Sequence, residues 1–320
     1  MEKFRIADFG FRIWQTAGPL NPKSAIRNRT LMLGHVPVLL DEVLQFLEPM
    51  PGGRFIDATL GAGGHARAVL ERTAPDGKVL GIDQDESALA GARETLTSFG
   101  SRLVFVHSNF KNIGQIAAEC GFLGADGVLA DIGISSMMIE DPSRGFSFMR
   151  EGPLDMRMDR SQKWTAADLV NTYSEKELAD ILYEYGEERR SRAIARSIVR
   201  ARPLERTTDL VRAVGRVLGA PRHGQIHPAT RTFQALRVFV NDELGSLEAF
   251  LASAMTVVRS GGRLVVITFH SLEDRIVKQK FRMPPVPGRV LTKKVVIGTE
   301  GEVSRNPRAR SAKLRAWEKS

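Results

Sequence analysis

Cysteine is nearly absent: Cys120 is the single one in 320 residues. One thiol excludes an internal disulfide and a cysteine-rich zinc site, and fits a reducing compartment. The simplest reading of Cys120 is a buried, small apolar residue, and no metal site is expected. No apolar run approaches the roughly 20 residues that a membrane helix needs, so no membrane association is expected. Two phosphate-binding signatures are also missing. The chain has neither the G-x-G-x-x-G spacing of a dinucleotide fold nor the Lys-Ser/Thr that closes a P-loop, which makes dinucleotides and nucleoside triphosphates the weaker ligand classes.

What is present is organised around Phe55-Ile56-Asp57-Ala58-Thr59-Leu60-Gly61-Ala62-Gly63-Gly64-His65. An apolar run ending in a carboxylate, then glycines, then the helix-compatible Ala66 to Leu70 reads as strand, tight turn and helix N-terminus. Glycines permit close backbone approach, and a helix N-terminus offers free N–H groups to a ligand. Alone, the same pattern fits an ordinary strand-to-helix turn. A second apolar run, Val79-Leu80-Gly81-Ile82, ends at Asp83, about twenty residues after the glycines, where nucleoside-binding α/β folds place the acid for ribose hydroxyls. Together they indicate a nucleoside without a phosphate chain, of which S-adenosylmethionine is the common example.

The net charge of +9 is unevenly spread. Residues 32–135 carry 7 basic and 13 acidic side chains, residues 136–241 carry 18 and 14, and residues 275–320 carry 13 and 3. An acidic nucleoside-binding part with basic additions suits a polyanionic substrate such as nucleic acid. A merely solvated basic surface fits the charge equally well.

Residues 1–31 hold Phe4, Phe9, Phe11 and Trp14 among basic side chains and read as an extension without order of its own, upstream of a start at Met32; a transit peptide is the other reading. Leu39, Leu40, Val43, Leu44 and Leu47 form one helical face. Strands at 79–83, 103–107 and 127–132 then alternate with helical stretches at 65–72, 86–97 and 111–120, the pattern of a parallel sheet covered on both faces. Ligands of such sheets lie at the carboxyl ends of strands, which here carry Asp57, Asp83, Asn109-Phe110 and Asp131.

For about a hundred residues after Ser136 helices follow one another without strands. Ser174 and Glu177 form a capping box, Arg189, Arg192, Arg196 and Arg200 form a stripe opposite Ile194 and Ile198, and Thr208 is read as the cap of a further helix. The stripe fits either a phosphate-backbone contact or a solvated face paired with Glu184, Glu187 and Glu188. A single long helix is expected from about 229 to 258, followed by a buried strand at 263–269 that ends at His270. Stretches 293–297 and 312–317 are expected to pair as a closing antiparallel hairpin.

Several stretches together resemble one family, the bacterial 16S rRNA (cytosine-N4)-methyltransferases of the RsmH/MraW type: residues 35–42, 57–65, 131–136, 144–148, 153–158, 187–192, 227–240, 268–275 and 306–314. The resemblance runs from about residue 34 to the end. It implies a class I S-adenosylmethionine-dependent methyltransferase fold, Rossmann-like with a mostly parallel sheet, made of residues 32–135 and 242–320. Residues 136–241 would be a helical substrate-recognition insertion. It implies methyl transfer to the exocyclic N4 of a P-site cytosine in 16S rRNA of the small ribosomal subunit, by a cytoplasmic enzyme whose oligomeric state, monomer or homodimer, stays open. By position, Gly63, Gly64, His65, Asp83, Phe110, Asp131 and Met138 would contact the cofactor. Met137-Met138 stands where the family reads Pro-Gln, so a glutamine contact is missing there. Asp131 and His270 are the catalytic candidates; Arg144, Arg192, Arg196 and Arg231 are the candidates for RNA contact. Methylation of DNA cytosine or of a small molecule, a non-catalytic RNA-binding or assembly role, and nicotinamide-dependent oxidoreduction are the competing classes, in that order.

Overall fold

A computed structural model describes residues 37–221 and 225–320. The readings placed on residues 1–31 and on His35 lie outside the described residues. Two compact units are formed, one running to Ile132 and resuming with Glu248–Ser320, the other comprising Gly133–Leu247.

The first unit opens with helix α1 (Leu40–Leu47), whose Val43, Leu44 and Leu47 are buried. Strand β1 (Arg54–Asp57), α2 (Gly64–Arg72), β2 (Lys78–Asp83), α3 (Glu86–Thr95), β3 (Leu103–His107), α4 (Ile113–Glu119) and β4 (Ala125–Asp131) follow. The apolar runs became strands and the 3.6-period stretches helices, as the patterning requires. Asp85 caps α3, its carboxylate accepting the Ser87 N–H at 3.0 Å. Cys120 sits at the end of α4 and is half-buried, not buried; partial burial raises its thiol above the usual range.

The second unit holds α5 (Ser136–Glu140), α6 (Ala166–Thr172), α7 (Glu175–Glu184), α8 (Ser191–Ala201), α9 (Thr207–Leu218) and α10 (Thr230–Val240). Its own core includes Leu178, Leu182, Ile194, Ile198, Leu210, Val214 and Leu236, each fully buried. The Ser174/Glu177 capping box forms as the sequence indicates. Helix α9 begins two residues earlier than a cap at Thr208 would place it, and Thr208 lies within its first turn. The Asp209 carboxylate instead accepts the N–H groups of Glu205 (3.2 Å) and Arg206 (2.9 Å), and the Thr207 hydroxyl donates to the Arg150 carbonyl at 2.8 Å.

The long helix expected from 229 to 258 is two helices, α10 and α11 (Glu243–Val257). Asn241, just past the end of α10, is 3% exposed. It donates to the carbonyls of Met156 and Arg237, both at 2.8 Å, and accepts the Met158 N–H at 2.7 Å. Asp242 then takes a positive φ of 47°, which an α-helix cannot carry. A local polar demand therefore breaks a continuous apolar stripe.

The chain re-enters the sheet as β5 (Val258–Thr268), followed by α12 (Ser271–Arg282), β6 (Gly288–Val290), α13 (Glu300–Arg305) and β7 (Lys313–Lys319). Among the described residues the seven strands lie in the order β3-β2-β1-β4-β5-β7-β6, with β1 to β5 parallel. β7 is antiparallel to β5 and to β6. The hairpin partner of β7 is thus 288–290; of the expected 293–297 stretch only Val296 bridges, to Leu314. Leu264 to Ile267 are fully buried between β4 and β7. Strand order reverses between β1 and β4, so the ligand crevice of such a sheet opens at the ends of those two strands. No helix among the described residues is long and apolar enough to cross a membrane.

Candidate active site

The ends of β1 and β4 carry Asp57 and Asp131, and both carboxylates are short of partners. Asp57 is 4% exposed; one oxygen accepts the Thr59 N–H at 3.2 Å, while Oδ2 has none. Asp131 Oδ1 is likewise buried and unpartnered. Burial pushes the Asp57 carboxyl up to about 6; nearby His65 and the Thr59 N–H oppose the rise, and the neighbouring Asp131 and Asp83 add to it. Burial also raises Asp131, against the pull of His65 and Arg308 and with the push of Glu273. A buried polar atom without a partner costs free energy, so these oxygens mark where a donor or cation belongs.

The loop between β1 and α2 is laced to both neighbouring strands. Ala58 N–H donates to the Leu129 carbonyl (2.8 Å), Leu60 N–H to the Ile82 carbonyl (2.9 Å), and Asp131 N–H to the Thr59 hydroxyl (2.6 Å). Gly61 N–H donates to Asp83 Oδ2 at 2.7 Å, and Asp85 N–H to Asp83 Oδ1 at 2.9 Å. Burial lifts Asp83 to about 6, and these N–H groups restrain the rise. Gly63 has φ 79°, and a Cβ there would lie 2.4 Å from Leu96 Cδ1. Position 63 thus requires glycine twice over, for its backbone angle and for its contact with the α3 terminus.

Among the expected cofactor residues, Gly63, Gly64, Asp83, Asp131 and Phe110 belong to this first unit's strand-end loops. Phe110 follows β3 half-buried, its ring edge-on to Phe250 at 5.1 Å. His65 is 6% exposed, and its Nε2 donates to the Val38 carbonyl at 2.9 Å, so one ring nitrogen is spent on the approach to α1. Met138 is different. It lies in α5, 5% exposed in the core of the second unit, with its N–H donating to Ser135 Oγ at 3.2 Å. Its side chain is packing, which is what an apolar replacement for glutamine does.

His270 lies two residues beyond β5, as the N-cap of α12: its Nδ1 lies 3.4 Å from the Glu273 backbone nitrogen, and its Nε2 lies 3.1 Å from Glu273 Oε1. Glu273, fully buried, accepts the N–H groups of Phe269 (2.8 Å) and His270 (3.2 Å). His270 therefore has a structural duty at the rim. The four arginines expected at RNA also divide. Arg192, Arg196 and Arg231 are exposed. Arg196 pairs with Glu175 at 3.2 Å rather than with the glutamates at 184, 187 and 188. Arg144 is 5% exposed and donates to the carbonyls of Arg157 (3.1 Å) and Met158 (2.7 Å), which removes it from the surface a phosphate would meet.

The site draws in residues that the sequence reading left without a role: Asp57, Thr59, Phe269, Glu273 and Arg308. Asp57 had a visible signal, a strand-end carboxylate next to the glycines. Glu273 had only its i+3 spacing from His270, and Arg308 only its place in a basic turn.

A curated relative from Sorangium cellulosum, a ribosomal RNA small subunit methyltransferase H, is 54% identical over 285 residues, covering 88% of this chain and 90% of its own. One of the same name from Geobacter sulfurreducens is 52% identical over 310 residues, covering 90% and 100%. The model of the MraW methylase family matches residues 32–320, and on this breadth of agreement the chain belongs to the MraW methylase family.

Proposed function

We propose that the protein transfers a methyl group from S-adenosylmethionine to the exocyclic N4 of a P-site cytosine in small-subunit ribosomal RNA. The observation that carries the reading is the unpartnered, buried Asp131 carboxylate oxygen at the strand-order reversal. Its relatives' shared name supports rRNA as the substrate.

The cofactor brings an electrophilic methyl group on a sulfonium, together with an ammonium and a ribose. Three carboxylates, two of them with orphaned oxygens, fit a ligand with two cationic groups. Asp83 would take the ribose hydroxyls, the Gly63-Gly64 turn the methionine end, Asp57 the positive charge, and Phe110 the adenine edge.

Cytosine N4 is a weak nucleophile because its lone pair is delocalised into the ring. Asp131 accepts an N4–H hydrogen bond, which pulls electron density onto nitrogen as it pyramidalises and aligns it for attack. The bound cofactor would supply the methyl carbon, its C–S bond giving way to the new C–N bond with the electron pair left on sulfur. Asp131 receives the surplus N4 proton and passes it to water. Burial raises the basicity of Asp131, which suits it to this proton. Arg192, Arg196 and Arg231 of the second unit would hold flanking phosphates.

The test is transfer of labelled methyl to purified small subunits that lack the modification, followed by nucleoside mass spectrometry. N4-methylated cytidine is expected from the wild type, and Asp131→Asn should lower kcat, measured at saturating cofactor, by about 10²-fold or more. Label on no cytosine despite measurable cofactor binding would overturn the substrate assignment; an Asp131→Asn enzyme at full turnover would remove Asp131 as acceptor.

A further inference from the structure

Strand β1 gives out before β4 does. Its last residue in register with β4 is Asp57, opposite Leu129, whereas β4 runs on to Asp131. The chain leaving β1 makes one more bond to β4, from the Ala58 N–H to the Leu129 carbonyl at 2.8 Å. It then crosses to β2, where the Leu60 N–H meets the Ile82 carbonyl at 2.9 Å. The Asp131 N–H is thus left on the side of β4 from which the neighbouring strand has turned off, and its acceptor is a side chain, the Thr59 hydroxyl at 2.6 Å. On the other side the next residue, Ile132, donates its N–H to the Ile267 carbonyl of β5 at 2.9 Å. The end of β4 is therefore clasped from both edges. Thr59 is itself firmly seated: its N–H donates to Asp57 Oδ1 at 3.2 Å, and two residues on the Gly61 N–H donates to Asp83 Oδ2 at 2.7 Å. Branching at Cβ restricts χ1 of threonine, which keeps the oxygen on the Asp131 N–H.

This bond joins the cofactor turn to the acid. Thr59 belongs to the turn that leads into Gly63 and Gly64, and Asp131 accepts the N4–H in the reading above. We propose that Thr59 is a positioning residue for methyl transfer: its hydroxyl fixes the Asp131 backbone to the cofactor-binding turn and so sets the path from methyl donor to acceptor carboxylate. The inference rests on the reading of Asp131 as the N4–H acceptor. Asp131 Oδ1 is buried without a partner, so the aim of that oxygen depends on the backbone that carries it. Alignment of this kind governs rate steeply, since a misplacement of about 1 Å costs on the order of 10²-fold. Valine has the shape of threonine and lacks the oxygen. It would set a methyl group against the Asp131 N–H, and the strand end would shift to find that donor another acceptor. Serine keeps the oxygen with a freer χ1.

The test compares the wild type with Thr59→Val, Thr59→Ser, Asp131→Asn and the double variant Thr59→Val with Asp131→Asn, on purified small subunits that lack the modification. At saturating cofactor, Thr59→Val should lower kcat by about tenfold or more, and Thr59→Ser should recover most of that loss. Cofactor affinity, measured by calorimetry, should stay within about threefold in both, which also reports that they are folded. If Thr59→Val does not fold, Thr59→Ala takes its place in the comparison. In the Asp131→Asn background, Thr59→Val should cost no more than about twofold further, because a positioning residue has nothing left to position. Hydrogen exchange at the Asp131 amide, followed by NMR, should be at least about tenfold faster in Thr59→Val than in the wild type or Thr59→Ser. Losses that multiply independently would overturn the proposal, as would a Thr59→Ser enzyme no better than Thr59→Val or an unchanged exchange rate. A tenfold loss of cofactor affinity with kcat intact would confine Thr59 to building the cofactor turn. An Asp131→Asn enzyme at full turnover, or a wild type that binds cofactor and makes no N4-methylcytidine, would mean that the reading beneath the proposal has failed; the exchange measurement tells these results apart from a failure of the Thr59 bond itself.

Discussion

Asp57 and Asp131 keep unpartnered oxygens in a folded protein that pairs most other buried polar groups, and such orphans are retained where a ligand completes them. The cost shows in their titration. Asp57 rises to about 6 from an ordinary 3.8. A carboxyl whose value rises on folding holds its proton more tightly in the folded chain than in the unfolded one. Its contribution to stability is therefore present below about pH 4 and is lost as pH climbs through about 6. Asp57→Asn should accordingly stabilise the cofactor-free protein at pH 7.5 by on the order of 2 kcal/mol, with the gain shrinking toward zero at pH 4. Thermal melts at the two pH values check this, and a gain equal at both would show that ionisation is not its source. The same variant should bind S-adenosylmethionine more weakly, because a cationic ligand offsets the cost of the ionised acid. Wild-type affinity should fall as pH drops through about 6, where Asp57 and Asp83 both take up protons.

At the scale of elements, the glycine turn into α2 is the best-defined piece of machinery. Gly63→Ala would force a side chain into a left-handed backbone and against Leu96 at 2.4 Å. We expect a loss of roughly 1 to 3 kcal/mol in stability and a larger loss of cofactor affinity. In a Leu96→Ala background, itself destabilised by the loss of a buried side chain, the further change Gly63→Ala should cost less than it does in the wild type, because the clash is gone and only the φ strain is left; no cost at all in that background would mean that the backbone angle carries none.

This turn was legible in the sequence because an apolar run, a carboxylate and glycines each report on local chemistry. The strands and their acidic ends were legible for the same reason. The division of α10 from α11 was not, since it depends on Asn241 bonding to Met156 and Met158, more than eighty residues away. Nor was the inward turn of Arg144, whose partners are backbone carbonyls with no signature of their own. His270 reads as a catalytic candidate by position, yet its capping of α12 with Glu273 is a three-dimensional fact.

Helix α8 poses the complementary problem, a face whose shape was clear and whose use was not. Ile194 and Ile198 are fully buried, while Arg192, Arg196 and Arg200 are exposed opposite them. The Arg196–Glu175 pair is exposed on both sides and contributes little to stability, so its loss should leave folding intact. Arg192→Ala with Arg196→Ala should weaken binding to small subunits and flatten the dependence of log K on log salt by about 2 units, one per phosphate contact. Cofactor affinity should not change. An unaltered salt slope would return the stripe to a solvated surface.

Two hydrophobic clusters among the described residues fall one in each unit. The carboxylates and the glycine turn belong to the unit built on the sheet, and the exposed arginine stripe to the helical unit with its own buried leucines and isoleucines. Because each unit buries its own apolar residues, damage to one core should spare the function carried by the other. Leu182, fully buried in the helical unit, is a suitable probe. Leu182→Ala deletes three carbons from a packed interior and should cost about 2 to 5 kcal/mol within that unit. We expect S-adenosylmethionine to bind this variant with wild-type affinity by calorimetry, while association with small ribosomal subunits and methyl transfer both fall steeply on warming. A parallel collapse of cofactor binding and subunit binding at one temperature would show instead that the two cores melt as a single cooperative structure, and the division of labour would then be one of surfaces, with no independence of folding behind it.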